Sequence, residues 1–271
     1  MTHTHLLQVI QNSAKYRHVS PALIARLLAQ ELALGQSDKA AVKATKNKLH
    51  QLTGAYLRGK PRYDRWLRDL QAAAQTADSA VFQAACREVM THHTSTAERL
   101  PILETFYQTC LAELPPIRSV LDLACGLNPL AIPWMPLAEG VPLAEGVSYY
   151  ATDIYSDMMA FVQATFPLLG VTGQATTGDL LTEVPDHAVD LALALKLLPL
   201  LEQVDRTASL SLLRRLQANY VLVSYPAHSL GGRKRGMVAN YTDRFLDLVA
   251  GEGWEIRQFN FETELAFLIR K

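Results

Sequence analysis

Apolar positions in the first 110 residues recur at helical spacing, and nothing there alternates as a strand would. Leu23, Leu27 and Leu28 fall on one face after Ser20-Pro21, a cap followed by proline at the first helical position. Gly35, Ser37 and Asp38 stop that helix and cap the next, whose apolar members are Ala41, Val42, Leu49 and Leu52. Two more helices are predicted over residues 63–74 and 80–90. The pattern changes after Leu114-Pro115-Pro116. Residues 119–124, 148–154, 189–195 and 220–225 are short apolar runs with β-branched or aromatic content, and helix-like segments at 157–166 and 200–217 separate most of them. Strands alternating with helices predict βαβ units, a mostly parallel sheet and an α/β fold. Residues 254–261 and 264–269 read as two strands joined by a tight turn, hence an antiparallel edge. The predicted organisation is a helical N-terminal extension over residues 1–110 and an α/β domain over 111–271.

Composition narrows the class. At 271 residues with 49% hydrophobic side chains, the chain can bury a sizeable core. No apolar run approaches the roughly 18 residues a membrane-spanning helix needs, and residues 1–10 lack a basic start before an apolar stretch. A cytoplasmic monomer is expected, with no membrane partner. Cys86, Cys110 and Cys125 form neither a CxxC pair nor an even disulfide set, which suits a reducing compartment and predicts no structural metal. The 26 Lys and Arg balance 26 Asp and Glu, which excludes a uniformly basic nucleic-acid coat protein. That zero is uneven along the chain. Residues 1–70 hold twelve basic and four acidic side chains, net +8, leaving −8 for residues 71–271. Solvated helix faces and a docking surface for a polyanion both fit this excess, and charge alone does not choose between them.

Candidate chemistry sits at the predicted strand ends. The first strand ends in a tight turn at Gly126, where a residue without a side chain lets backbone approach a ligand beyond the sheet. The second ends at Asp153, an acceptor suited to both ribose hydroxyls of a nucleoside, and Thr177-Gly178-Asp179-Leu180 offers a carboxylate for an adenine amino group. In the order Gly126, Asp153, Asp179 these match the nucleoside-binding line of a Rossmann-like methyltransferase. No GxGxxG fingerprint and no GxxxxGK[ST] phosphate loop is present, which counts against dehydrogenases and NTPases. Residues 136–141, PLAEGV, are repeated at 142–147. Gly126 and Asp153 are 27 apart; without the six extra residues the spacing is 21, close to the roughly 20 of a βαβ unit. The duplication is therefore expected to lengthen a loop without moving the site.

Four strings carry a resemblance over nearly the whole chain: HTSTAER from His93 to Arg99, DLACGLNP from Asp122 to Pro129, KLLPLLE from Lys196 to Glu202, and SLGGRKRGM from Ser229 to Met237. In these the chain resembles the aminoglycoside-resistance 16S ribosomal RNA (guanine-N7)-methyltransferases. The resemblance implies a C-terminal S-adenosylmethionine-binding domain of Rossmann-like α/β fold behind a helical extension, acting on one decoding-site guanine of the 30S subunit and releasing S-adenosylhomocysteine. It places Arg99 near the methionine carboxylate, and His93, Thr94 and Ser95 along the cofactor pocket. Ala124 and Gly126 would lie along the cofactor, Asp153 with Ile154 at the ribose, Asp179 with Leu180 at the adenine, Leu195 beside them, and Tyr56 reaching in from the extension. Lys15, Arg17, Lys46, Lys48, Arg62 and Lys234 are candidate RNA contacts.

Guanine N7 presents an in-plane lone pair, so methyl transfer needs alignment and no general base. Lys196 follows an apolar strand, and because an unpaired buried cation is costly it is expected to face the surface of the active site. Arg233, Lys234 and Arg235 would grip phosphates near the target, and Met237 would pack against an extruded base. An exocyclic-amine methyltransferase would need a carbonyl or carboxylate cluster at the fourth strand end, which residues 195–199 lack. A cytosine-C5 enzyme would need a thiolate near the base. Methylation of a neighbouring adenine at N1 stays open, as does a non-catalytic S-adenosylmethionine-binding module on the ribosome.

Overall fold

In a computed structural model, which describes residues 3–53, 56–137, 146–227 and 237–271, the apolar runs become strands. They are β1 (Ser119–Leu123), β2 (Ser148–Asp153), β3 (Thr172–Thr177), β4 (Val189–Leu195), β5 (Ala218–Pro226), β6 (Glu255–Asn260) and β7 (Glu264–Arg270). The sheet order is β3-β2-β1-β4-β5-β7-β6, with β1 to β5 parallel and β7 antiparallel to both neighbours. β1 and β4 lie at the centre, buried on both faces, which explains their mostly apolar sequence. β3 is an edge strand, and its polar sequence TGQATT gives no apolar run to read.

Eleven α-helices are described: α1 (His3–Gln11), α2 (Pro21–Ala33), α3 (Asp38–Thr53), α4 (Tyr63–Gln75), α5 (Ser79–Met90), α6 (Thr94–Arg99), α7 (Leu103–Leu111), α8 (Ser156–Thr165), α9 (Leu198–Val204), α10 (Ala208–Arg215) and α11 (Met237–Val249). The Ser20 hydroxyl accepts from the N–H of Leu23 and Pro21 opens α2, as the sequence predicts. The stretch 200–217 is two helices, because Asp205 accepts from the backbone N–H and the hydroxyl of Thr207 and breaks the turn between them.

Two cores lie on the faces of the sheet. One gathers α4, α5, α7 and α8, and the other gathers α9, α10 and α11. Helices α1 to α3 close around a third, built on Leu6, Ile10, Leu23, Ile24, Leu27, Leu28, Ala41 and Leu49. Residues 1–110 thus contain two packing units, of which the second, through α4, α5 and α7, shares a core with the sheet. The α1–α3 unit is seated on the carboxyl end of β2. Ser20 N–H donates to the Ile154 carbonyl at 2.7 Å, Ser156 N–H donates to that of His18 at 2.8 Å, and Val19 forms a β-bridge with Tyr155. Most of the PLAEGV duplication, residues 138–145, lies outside the described residues; β2 still begins in register with β1, Ser148 opposite Ser119. Among the described residues no helix is long and apolar enough to cross a membrane.

Candidate active site

The carboxyl ends of β1 to β4 meet where the sheet order reverses direction, the usual place for a ligand in a doubly wound fold. The chain leaves β1 through two left-handed residues, Ala124 (φ +49°) and Gly126 (φ +53°), and leaves β4 through a third, Lys196 (φ +58°). Such conformations are disfavoured for side chains bearing Cβ and tend to collect at functional sites. Glycine is required at 126 for a second reason, since a Cβ there would stand 2.5 Å from Cε1 of His93.

Gly126 N–H donates to Asp153 Oδ2 at 2.9 Å, and Ile154 N–H donates to Oδ1 at 2.6 Å. Burial pushes the Asp153 carboxyl up to about 6, against the pull of the backbone N–H groups of Gly126, Ile154 and Tyr155. His93 stacks against Tyr56 with centroids 5.8 Å apart, and its Nδ1 lies 3.0 Å from Ser95 Oγ. Thr94 ties these segments together, its N–H donating to the Tyr56 carbonyl at 2.7 Å. Burial, reinforced by Lys196, Arg99 and Arg58, pushes the imidazole down to about 4, so the ring is neutral near pH 7.

These groups border one cleft that opens to solvent at the strand ends. Tyr56, His93, Ser95, Ala124, Asp153, Ile154, Asp179, Leu180, Leu195 and Lys196 line it, so ten sequence candidates come together. Sequence reasoning missed Leu23, Arg26 and Leu52, which reach the cleft from α2 and α3. The two leucines read as ordinary helix-face residues. Arg26 counted only toward the charge excess, and nothing local signals its contact with Asp179, 153 positions away.

Two expectations are corrected. Arg99 is 1% exposed and turned inward. Its Nη1 donates to Asn128 Oδ1 at 2.8 Å, its Nη2 to Glu264 Oε2 at 3.1 Å, and its Nε lies 2.9 Å from Glu264 Oε1. It does not line the cleft. Burial disfavours its charge, yet Glu264 and Tyr107 outweigh that and hold its pKa above the ordinary arginine value. Lys196 lines the cleft but is buried, at 8% exposure. Its ammonium reaches Glu98 Oε2 at 2.7 Å, Glu264 Oε1 at 3.2 Å and the Ser95 carbonyl at 3.2 Å. The penalty for burying the charge is therefore met by partners the sequence places 98 and 68 positions away. The absence of carboxylates at residues 195–199 does not describe the fourth strand end in space, because Glu98 and Glu264 stand there, each already bound to a cation.

Arg233, Lys234 and Arg235 lie outside the described residues, and Met237 is the first residue of α11. Of the other docking candidates, Arg17 and Arg62 are exposed and Lys46 is half-buried. Lys15 is 2.7 Å from His50 Nδ1, and Lys48 pairs with the buried Glu31 at 2.5 Å. Arg58, Lys60 and Arg62 share an exposed segment that leads from Tyr56 to α4, and none has an ion pair among the described residues. They border a groove with Trp66, which is stacked on His92 at 4.7 Å. The thiols of Cys86 and Cys110 are pushed up to about 12 by burial, and that of Cys125 is also raised by burial, with Asp122 and Asp153 adding to it. Among the described residues no group of three or more His, Cys, Asp and Glu could hold a metal ion.

A family model described as ribosomal RNA methyltransferase (FmrO) matches residues 12–268. A 16S rRNA (guanine(1405)-N(7))-methyltransferase from Micromonospora echinospora is 36% identical over 266 residues, covering 97% of this chain and 95% of its own. One of the same name from Serratia marcescens is 35% identical over 273 residues, covering 98% and 97%. Among solved structures, the 16S rRNA methylase RmtB superposes with a TM-score of 0.80 at 30% identity, covering 100% of this chain and 99% of its own. The 16S rRNA methyltransferase RmtF, in complex with S-adenosyl-L-homocysteine, gives 0.79 at 28% identity, covering 99% and 98%.

Proposed function

The chain belongs to the FmrO ribosomal RNA methyltransferase family, and on that premise we propose that it methylates N7 of a guanine in the decoding A site of 16S rRNA within the assembled 30S subunit, conferring aminoglycoside resistance. It is an S-adenosylmethionine-dependent 16S rRNA methyltransferase. The observation that carries the reading is the line of Ala124, Asp153 and Asp179 along one cleft at the ends of β1, β2 and β3, with Gly126 N–H holding Asp153 from behind. An apolar slot closed by leucines, with carboxylates set apart along it, fits a nucleoside flanked by hydroxyl and amino donors. In this reading Asp153 takes the ribose hydroxyls, Asp179 with Leu180 and Leu195 borders the adenine, and Ala124 and Gly126 let backbone lie along the ligand. Tyr56, His93 and Ser95 wall the opposite side.

S-adenosylmethionine supplies an electrophilic methyl group. Guanine N7 needs no proton removed, so the chain's part is alignment. His93, pushed down to about 4, holds an abstracted proton poorly near pH 7, and the thiols are held protonated, which suits a site without general-base or thiolate chemistry. Lys196, fixed by Glu98 and Glu264, presents a positioned cation where RNA approaches. Arg233, Lys234, Arg235 and Met237 are assigned to the RNA strand and target base on the resemblance alone.

Docking is assigned to residues 1–110, with Arg17, Lys46, Arg58, Lys60 and Arg62 as the main phosphate contacts. Structured RNA is bound largely through backbone and shape, which suits exposed cations with little sequence readout. Lys48 is left out, because a glutamate there would face the buried Glu31 and disturb the α2–α3 packing. Reversing Arg17, Arg58, Lys60 and Arg62 to glutamate should reduce methyl transfer to 30S subunits at least a hundredfold at about 0.15 M salt while leaving S-adenosylhomocysteine affinity within twofold. Unchanged 30S methylation would sink the docking assignment.

A further inference from the structure

Asp179 is gripped from the α1–α3 unit. Arg26 on α2 sets its Nε 2.5 Å from Oδ2 and its Nη2 3.3 Å from Oδ1, and Leu181 N–H donates to Oδ1 at 3.2 Å. The carboxylate is nearly sealed, with 4% of the side chain exposed, and the arginine side chain is only 15% exposed. Both residues line the cleft. A carboxylate offers about four lone-pair positions. Three donors take two on Oδ1 and one on Oδ2, so the acceptor position left on Oδ2 has a direction fixed by the planar guanidinium fork. The α1–α3 unit has its own core, against which Ile154 and Tyr155 pack, and Arg26 is a charged tie from that unit to the site.

We propose that Arg26 is a positioning residue for cofactor recognition, aiming Asp179 so that the cleft selects a purine bearing an exocyclic amino group. The helical unit thereby takes part in choosing the cofactor. This rests on Asp179 being the adenine acceptor. A fixed carboxylate welcomes an amino donor and meets the carbonyl of a deaminated purine lone pair to lone pair, whereas a freely rotating one can turn away. Sites built to hydrogen-bond a donor reject ligands that lack it far better than apolar pockets do.

The test measures binding of S-adenosylhomocysteine and of its deaminated analogue, S-inosylhomocysteine, by calorimetry on the full chain. Wild type should prefer the adenosyl ligand at least tenfold. Arg26→Ala should bind it about tenfold more weakly and bring the preference below about threefold, with Arg26→Lys, which keeps the charge but not the fork, in between. The preference is a ratio of two affinities on one variant, so a general loosening of the fold cancels from it. If Arg26→Ala binds neither ligand measurably, the ratio for Arg26→Lys decides. An undiminished preference in the deciding variant overturns the proposal. So does tighter adenosyl binding by Arg26→Ala, which would make Arg26 a competitor for Asp179. Asp179→Ala separates the two claims. A preference kept in Asp179→Ala fails the adenine assignment itself, whereas one lost there but kept in Arg26→Ala fails only the role of Arg26.

Discussion

Asp153→Ala should abolish calorimetrically detectable binding of S-adenosylhomocysteine. The side chain is expected to accept both ribose hydroxyls and already anchors the β1 turn through the Gly126 N–H. Hydrogen bonds to a charged acceptor contribute about 1.5–3 kcal/mol each, so losing two weakens binding at least a hundredfold, and a loosened turn adds to that. Asp153→Asn keeps the shape and one acceptor and should fall between. Acidity gives a second readout. The carboxyl is raised to about 6 by burial, and protonation removes the acceptor, so affinity should fall about tenfold per pH unit below 6 in wild type and stay level in Asp153→Asn. For stability of the free protein the sign is opposite. The folded pKa is raised, so the contribution of this group is complete below the ordinary value of 3.8 and is lost as pH rises through about 6. Affinity unchanged in Asp153→Ala would overturn the site assignment.

Glu264→Ala should be among the most destabilising single substitutions. The carboxylate is fully buried at the start of β7 and lies against two cations, Arg99 and Lys196, that are themselves 1% and 8% exposed. Removing one member of a buried charge cluster costs about 3–5 kcal/mol, because the remaining charges stay desolvated without a partner. For a chain of this size that lowers the melting temperature by roughly 10 °C. Glu264→Gln keeps the volume and one acceptor and should lose less. Both variants should also lower methyl transfer, since Lys196 would lose its buried carboxylate and keep only Glu98 and the Ser95 carbonyl as firm partners, at the edge of the site. A melting temperature within about 2 °C of wild type would show that the cluster does not hold the two strand ends together.

Much of the architecture could be read from the chain because burial and sequence pattern coincide there. The central strands carry mostly apolar runs for the same reason they are covered on both faces, and the β6–β7 hairpin shows as two runs joined by a tight turn. Strand β3 escaped because an edge strand has little apolar surface to reveal. At the site, Gly126 and Asp153 could be singled out because each follows a strand that the sequence predicts, whereas Asp179 stood out only through its Thr-Gly-Asp-Leu string, the strand before it being unreadable. Arg99 and Lys196 were not placed correctly, and Arg26 was not singled out at all, because their surroundings are made by long-range partners. Counting only neighbours in sequence, a cation after an apolar strand should avoid burial. Counting Glu98 and Glu264, which come from α6 and β7, it need not. The net charge likewise hid Arg26, which contributes to the basic excess of residues 1–70 while its guanidinium is committed to Asp179.

The central claim is that the cleft delivers a methyl group to guanine N7 in the decoding A site of the 30S subunit. It is tested most directly by incubating the protein with 30S subunits and S-adenosylmethionine labelled in its methyl group, then mapping the labelled nucleotide and the modified atom. One guanine of the A site should carry the label, at N7, and the same RNA sequence supplied as a short oligonucleotide should carry none. Label on a neighbouring adenine, or no transfer to 30S subunits by a protein that binds the cofactor, would contradict it.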